Sequence, residues 1–129
     1  MKKDFILKMA LALLLFVVIV GCPNINNLYT KEVEKTFNSE GKKELKLENI
    51  SGNISISRSQ GSQISVKATK ISKNEGDLSK VEIEFKDEEI FQIKSDYKDN
   101  SYSTVAVDYI IKIPQQLLVT IKATTGDID

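Results

Sequence analysis

Short runs of strictly alternating apolar and polar residues constrain this chain more than any other feature. The runs recur between residues 45 and 123, and clusters of Gly, Asn, Ser or charged residues separate them. Alternation with a period of two places one row of side chains on each face of a β-strand, so each run predicts a half-buried strand. The sequence therefore predicts an all-β domain, either a short-stranded β-solenoid or β-helix or a sandwich-like sheet structure, preceded by an N-terminal signal helix.

The strand boundaries follow from the turn residues between the runs. The predicted strands cover residues 31–37, 44–48, 54–57, 64–69, 81–85, 91–97, 105–113 and 117–123. Phe91 and Ile93 follow a charged turn and are expected to pair with the preceding strand as a hairpin. Pro114 lacks an N–H and is expected to end the longest run. Tyr109 lies at an apolar position of that run, which predicts that it belongs to the core.

The N-terminus has the three parts of a secretory signal. A net-basic head precedes an uncharged apolar run, Met9–Val20, which is too short for a typical membrane span of about 20 residues. The tetrapeptide Ile19-Val20-Gly21-Cys22 resembles a bacterial lipobox. This resemblance implies that the Cys22 thiol receives a diacylglycerol group and that cleavage after Gly21 makes Cys22 the new N-terminus. A plain cleaved signal and an uncleaved anchor with a buried Cys22 are the alternatives.

These features divide the chain into three parts. We expect a lipoprotein signal peptide at 1–21, a polar, turn-prone tether at 22–30 and a single β domain at 31–129. The predicted location is the cell envelope, with the protein held in a membrane through acyl chains on Cys22 and facing the periplasm or the cell exterior. Two or three acyl chains anchor a protein stably, whereas one holds it only marginally.

Composition excludes several classes of chemistry. The chain has no histidine, which rules out a Ser-His-Asp triad and removes the commonest transition-metal ligand. Cys22 is the only cysteine, so no disulfide forms within the domain. The 18 basic and 18 acidic residues form no basic face of the kind that nucleic acid requires. We therefore expect no enzymatic activity, no cofactor, no metal and no nucleic-acid partner.

Two predicted corners have the same pattern of residue types. Ser51-Gly52-Asn53-Ile54 and Thr125-Gly126-Asp127-Ile128 each combine a hydroxyl residue, a glycine, an amide or acid, and an isoleucine. Glycine permits the positive φ of a tight corner, and Asn or Asp can bond nearby backbone groups. A corner that recurs between short strands is typical of stacked β architectures.

The order of these motifs resembles a family of bacterial adhesin-like envelope domains whose biochemical role is mostly unassigned. The resemblance covers residues 43–129 and rests on four segments: 51–56, 64–70, 109–114 and 118–128. It implies a right-handed parallel β-helix in which further Gly-Asp-Ile corners follow. The chain stops at Asp129, so we expect the domain to be incomplete at its C-terminus, as a truncated or split member of the family, with an unpaired edge on its last strand.

Other candidate sites have simpler interpretations. The carboxylates Asp87, Glu88 and Glu89, with Glu82 and Glu84 nearby, match no metal-binding loop and are expected to lie on a solvated strand face and turn. The segment 126–129 is one partial copy of a calcium-binding nonapeptide, which does not make a repeat. The many serines lie outside any Gly-x-Ser-x-Gly elbow. Tyr97 and Tyr102 flank a loop tip and are weak contact candidates.

The sequence thus predicts a lipid-anchored envelope protein with a non-catalytic, adhesin-like binding or structural domain that contacts an unknown protein or envelope ligand. The alternative is an envelope-stress or regulatory component that binds peptides, lipids or a membrane protein, because an adhesin-like fold need not adhere. A hydrolase acting on the envelope is disfavoured, because the sequence has no nucleophile motif.

Overall fold

A computed structural model describes residues 28–129, and these fold into eight strands and two short 3₁₀ helices. The strands are β1 (Tyr29–Asn38), β2 (Glu44–Ser51), β3 (Ile54–Ser59), β4 (Gln63–Ser72), β5 (Val81–Lys86), β6 (Ile90–Tyr97), β7 (Val105–Pro114) and β8 (Leu118–Thr125). The 3₁₀ helices are Glu75–Lys80 and Lys98–Ser103, and both lie in segments that the sequence marks as polar loops.

The strands form two four-stranded sheets that face each other, so the domain is all-β and sandwich-like. The first sheet has the order β1-β4-β7-β3, and the second has the order β5-β6-β2-β8. Pairing is mixed. The pairs β1–β4, β4–β7 and β5–β6 are antiparallel, whereas β7 and β3 run parallel, as do β6, β2 and β8.

Three segments pass from the second sheet into the first and stack in parallel. We call them the first, second and third layers. The first layer is β6 followed by β7, the second is β2 followed by β3, and the third is β8 followed by residues 127–129. Ile128 pairs in parallel with Ile54, so residues 127–129 extend the first sheet beyond β3.

The core lies between the sheets and consists of the apolar rows of the alternating strands. Leu45, Phe91, Val107 and Ile111 are at most 1% exposed, and the two sheets contribute two of them each. Phe37 packs against Phe91 with ring centroids 4.5 Å apart. Burial of one such aliphatic or aromatic side chain stabilises a fold by about 1.5–3 kcal/mol, so the alternating pattern supplies the main driving force.

The structure confirms several predictions and shifts others. β5 and β6 form the expected antiparallel hairpin, β7 ends at Pro114, and Tyr109 is buried at 1% exposure. The first strand begins at Tyr29, two residues before the predicted start, so the end of the predicted tether is strand. The predicted signal helix and residues 22–27 of the tether lie outside the described residues.

Candidate functional site

The two predicted corners stack directly on each other. Gly52 has a φ of 125°, and a Cβ on this residue would lie 2.0 Å from the carbonyl oxygen of Val107 in the first layer. Gly126 has a φ of 120°, and its Cβ would lie 1.9 Å from the carbonyl oxygen of Gly52. Both positions therefore exclude any side chain, for conformational and for steric reasons. The corner glycines set how closely one layer approaches the next.

The residues after these glycines form a ladder of side-chain hydrogen bonds. The Asn53 backbone N–H donates to Oδ1 of Asp108 at 2.8 Å, which links the second layer to the first. The Asp127 N–H donates to Oδ1 of Asn53 at 3.1 Å, which links the third layer to the second. Asp108, Asn53 and Asp127 thus hold equivalent positions in successive layers, and we call this row the Asx ladder.

A second backbone bond repeats from layer to layer beside the ladder. The Tyr109 N–H donates to the Asn53 carbonyl at 2.8 Å, and the Ile54 N–H donates to the Asp127 carbonyl at 2.9 Å. Two bonds of the same kind therefore join each layer to the next. In the first bond, the backbone N–H of the Asx residue in one layer donates to the Asx side chain of the preceding layer. In the second bond, the N–H of the residue that follows the preceding layer's Asx donates to the backbone carbonyl of the Asx in the next layer.

A buried polar network supports the Gly52 corner from inside. The Asn49 amide donates to the Val107 carbonyl at 2.8 Å and to the Ser51 carbonyl at 3.1 Å. The Tyr97 hydroxyl donates to Oδ1 of Asn49 at 2.8 Å. Burial raises the pKa of Tyr97, so the phenol stays neutral and remains a donor. These bonds satisfy polar groups that the corner would otherwise leave buried without partners.

The third layer presents an open strand edge. The Leu118 N–H donates to the Lys43 carbonyl beside β2. Because successive N–H groups of a strand point to opposite sides, those of Thr120 and Lys122 also face β2, and those of Val119, Ile121 and Ala123 face outward. Within residues 28–129, no strand pairs with this side of β8. We call this side of β8, together with the outer side of 127–129, the β8 edge.

Strand β8 itself differs in charge from the outer strands at the other side of each sheet, whereas residues 127–129 of the same edge carry the carboxylates of Asp127 and Asp129. β8 carries a single charged side chain, Lys122. The outermost strand β1 carries Lys31, Glu32, Glu34 and Lys35, and β5 carries Glu82, Glu84 and Lys86. Charged side chains on edge strands are a common protection against unwanted pairing. β1 and β5 have this protection, and β8 largely lacks it.

The inward side chains of β8 are only partly covered. Val119, Ile121 and Ala123 pack against the core but stay half-buried, and Leu118 and Ile128 are 68% and 52% exposed. The strand is nevertheless held firmly at its start. The Arg58 guanidinium donates to the carbonyls of Pro114, Gln115 and Leu117 at 2.7–3.2 Å, which fixes the turn between β7 and β8. The edge is therefore an ordered, apolar-backed strand.

Three of the five acidic candidates form ion pairs with lysines. Asp87 is 2.6 Å from the Lys42 ammonium, Glu89 is 2.8 Å from that of Lys43, and Glu82 is 3.2 Å from that of Lys98. The Lys43 ammonium lowers the pKa of Glu89. Within the described part of the chain, no three acids or cysteines come together as a group that could hold a metal ion.

A shallow cleft lies at the end of the domain where β1 begins. Its volume is about 430 Å³, and Leu28, Ser72, Asn74, Tyr102 and Ala106 are among its lining residues. Tyr102 is 45% exposed and packs edge-on against Tyr97, with ring centroids 6.5 Å apart. No chemically reactive cluster lines this cleft, and the β8 edge is the stronger candidate site.

The structure brings Gly52, Asn53, Gly126 and Asp127 into one column, and the sequence pattern already singled out all four. It adds Asp108 and Asn49, which sequence reasoning missed. Asp108 stands inside the longest alternating run at a position that is typical of a solvated strand face. Ile19, Val20, Gly21 and Cys22 lie outside the described residues. No helix within 28–129 has the length and apolar character needed to cross a membrane.

No protein-family model matches the sequence, and no curated protein is similar to it.

Proposed function

We propose that this protein is a non-catalytic, lipid-anchored protein of the bacterial cell envelope that binds a protein partner by strand addition at the β8 edge. The single observation that supports strand addition is that the edge strand β8 is ordered and carries one charged side chain, whereas the outer strands β1 and β5 carry four and three. Peptides commonly bind by adding a strand to such an edge, where main-chain hydrogen bonds supply affinity. The adhesin-like character and the envelope location remain parts of this proposal.

We further propose that the three parallel layers belong to a β-solenoid-like stack rather than to an ordinary sandwich. The parallel pairing of β6, β2 and β8 and the repeated Gly-Asx corners support this interpretation. In a stack of this kind each layer buries its face only against its neighbours. Within residues 28–129 the third layer has a neighbour on one side only, so its other side offers a position for a partner strand.

The start of β1, which follows the proposed anchor in the chain, and the proposed edge lie at opposite sides of the first sheet. Cys22 precedes Tyr29 by seven residues, so a fully extended connection spans at most about 25 Å. β1 begins at Tyr29, and residues 127–129 lie four strand spacings away, or about 19 Å. An anchored domain would therefore have the start of β1 within about 25 Å of the membrane.

Metabolic labelling with a palmitate analogue tests the anchor. Cells that produce the wild-type protein should incorporate the label, and cells that produce Cys22→Ser should not. Equal labelling of both proteins would contradict lipid attachment at Cys22.

Site-specific cross-linking tests the edge. A photo-reactive amino acid at Leu118, which is 68% exposed, should cross-link a protein partner in cells. Ala123→Pro should abolish that cross-link, because it removes an outward N–H without removing a bond to β2. Ala123→Val is the matched control and should preserve it. A cross-link that survives Ala123→Pro, or no cross-link at all, would contradict strand addition at this edge.

A further inference from the structure

We infer that the β8 edge selects its partner strand, accepting a parallel segment with a glycine corner and holding it through the Asp127 carboxylate and the Ile128 N–H. This inference rests on the proposed function, because it concerns the same edge.

The two observed steps of the Asx ladder, Asn53 to Asp108 and Asp127 to Asn53, show what these bonds are. At both steps a backbone N–H of the upper layer donates to an Asx side chain of the layer below, at 2.8 Å and 3.1 Å. Asp127 occupies the same position in the third layer, so its carboxylate is the equivalent acceptor for the next N–H. A charged acceptor forms a stronger hydrogen bond than the neutral amide of Asn53.

Ile128 supplies the donor that completes the pattern. The Tyr109 N–H donates to the Asn53 carbonyl of the second layer, and the Ile54 N–H donates to the Asp127 carbonyl of the third. The Asp129 N–H donates to the Ile54 carbonyl, so it faces β3, and the alternation of the strand directs the Ile128 N–H outward. The incoming residue therefore donates to Asp127 and accepts from Ile128, which excludes proline at this position.

The residue before this one must be glycine. Gly52 stacks on the Val107 carbonyl and Gly126 stacks on the Gly52 carbonyl, each leaving no room for a Cβ. The residue of the partner segment that follows in this column would stack on the Gly126 carbonyl in the same way. A side chain there would displace the segment and break both bonds to Asp127 and Ile128.

The remaining requirements concern the side chains before the corner. The inward face of β8 carries Val119, Ile121 and Ala123, which are half-buried. A partner strand with apolar residues at alternate positions would cover them. The solvent-facing side of β8 tolerates polar residues and carries the charge of Lys122, and residues 127–129 add the carboxylates of Asp127 and Asp129. The partner is thus an extended polypeptide with an alternating apolar strand, a glycine and a non-proline residue.

A binding titration with a synthetic peptide tests this inference. The probe is a fluorescent peptide with the sequence of Leu118–Asp129, because this segment itself stacks in the required way on the second layer. The protein is the full-length chain in detergent. We expect saturable binding, and we expect it to weaken about tenfold in Asp127→Ala, the effect of losing one hydrogen bond to a charged group. Asp127→Asn retains the acceptor and should bind within about threefold of wild type.

Two altered peptides test the corner. A peptide with alanine in place of its glycine should lose at least tenfold in affinity, and one with proline in place of the following aspartate should do the same. If all three peptides bind equally, or if Asp127→Ala binds as tightly as Asp127→Asn, this inference is wrong although strand addition stands. If binding of the unaltered peptide also ignores Ala123→Pro, or if no peptide binds, strand addition itself fails.

Discussion

Individual residues in this protein determine how closely the layers approach. Gly52 and Gly126 combine a positive φ with a carbonyl oxygen about 2 Å from where a Cβ would be. A polar partner network then fixes the corner, and the pKa of Tyr97 is raised by the same burial. The corners are therefore the positions at which a single substitution is expected to do the most damage.

Substitution of Gly52 by alanine tests this residue-scale argument. We expect Gly52→Ala to reduce the free energy of unfolding by about 3 kcal/mol or more, through backbone strain together with the clash at Val107. Gly41→Ala is the control, because Gly41 has a φ of 78° but a Cβ on it would meet no atom within 4 Å. That variant should lose only about 1 kcal/mol. Urea unfolding measures both, and equal losses would refute the stacking argument.

Lys70 is a buried cation in the interior row of β4. It is 7% exposed, and its ammonium donates to the Leu78 carbonyl at 3.3 Å. Among the described residues, its ammonium has no carboxylate within ion-pair distance. Burial lowers the pKa of Lys70, and the nearby Lys31 lowers it further, while Glu82 opposes the change. The native state therefore favours the neutral amine more than the unfolded chain does.

The Lys70→Met variant should be more stable than wild type at pH 7, by about 1 kcal/mol, because a buried charge is removed and the chain length is nearly preserved. Between the lowered pKa of Lys70 and 10.5, the unfolded chain binds more protons than the native state, so wild-type stability gains from rising pH. This gain is absent in the variant. Urea titrations at pH 7 and pH 10 measure the difference, which should shrink at the higher pH; a constant or growing difference contradicts the assignment.

At the scale of single elements, β8 is the least covered strand that lines the core. Its inward row is half-buried, whereas that of β7 is fully buried. The reason is positional, since β7 has neighbours on both sides and β8 pairs only with β2 in the described part of the chain. A core side chain that is packed on both sides contributes more to the free energy of unfolding than one that is packed on one side.

Alanine substitutions in β7 and β8 test this difference in burial. Ile111→Ala should reduce the free energy of unfolding by about 3–4 kcal/mol, because it leaves a cavity in a close-packed interior. Ile121→Ala should cost about 1–2 kcal/mol, since its site is already open on one side. Thermal unfolding monitored by circular dichroism measures both. Similar losses would mean that β8 is as well covered as β7.

The alternating runs predict the strands well because burial on one face is a local property of sequence. Parity and a charged turn alone identify Val105–Ile113 and the β5–β6 hairpin. The pairing of β8 with β2 is not predictable in this way, because parallel partners 74 residues apart leave no local signal. The role of Asp108 is not predictable from the sequence for the same reason. Its role depends on Asn53, which reaches it only through the fold.

At the scale of the whole molecule, stability rests on two facing sheets without a disulfide in the described part. Burial raises the pKa of Tyr109 well above its ordinary value, and it also raises that of Tyr97. The Tyr109 hydroxyl also shares a hydrogen bond with Ser95. Both phenols are kept neutral by the fold, whereas they ionise near pH 10 in the unfolded chain.

The protein should therefore lose stability as the pH rises above about 10, the ordinary pKa of a tyrosine. The native state then holds more protons than the unfolded chain, so each further rise in pH favours unfolding. Tyr109→Phe should lower stability at pH 7 by about 1 kcal/mol, through the lost bond to Ser95, and should reduce the loss between about pH 9 and 11. Urea midpoints over this range measure it. An unchanged pH slope in Tyr109→Phe would contradict the prediction.

The central claim is that one side of the third layer is an open edge that receives a further strand. Residue-resolved amide hydrogen exchange tests it most directly, on the full-length chain in detergent, with and without the Leu118–Asp129 peptide. We predict that Val119, Ile121, Ala123 and Ile128 exchange fast in the free protein and slowly with peptide, while Thr120 and Lys122 are slow in both. Uniform exchange along β8, or peptide protection at β1 or β5 instead, would contradict the claim.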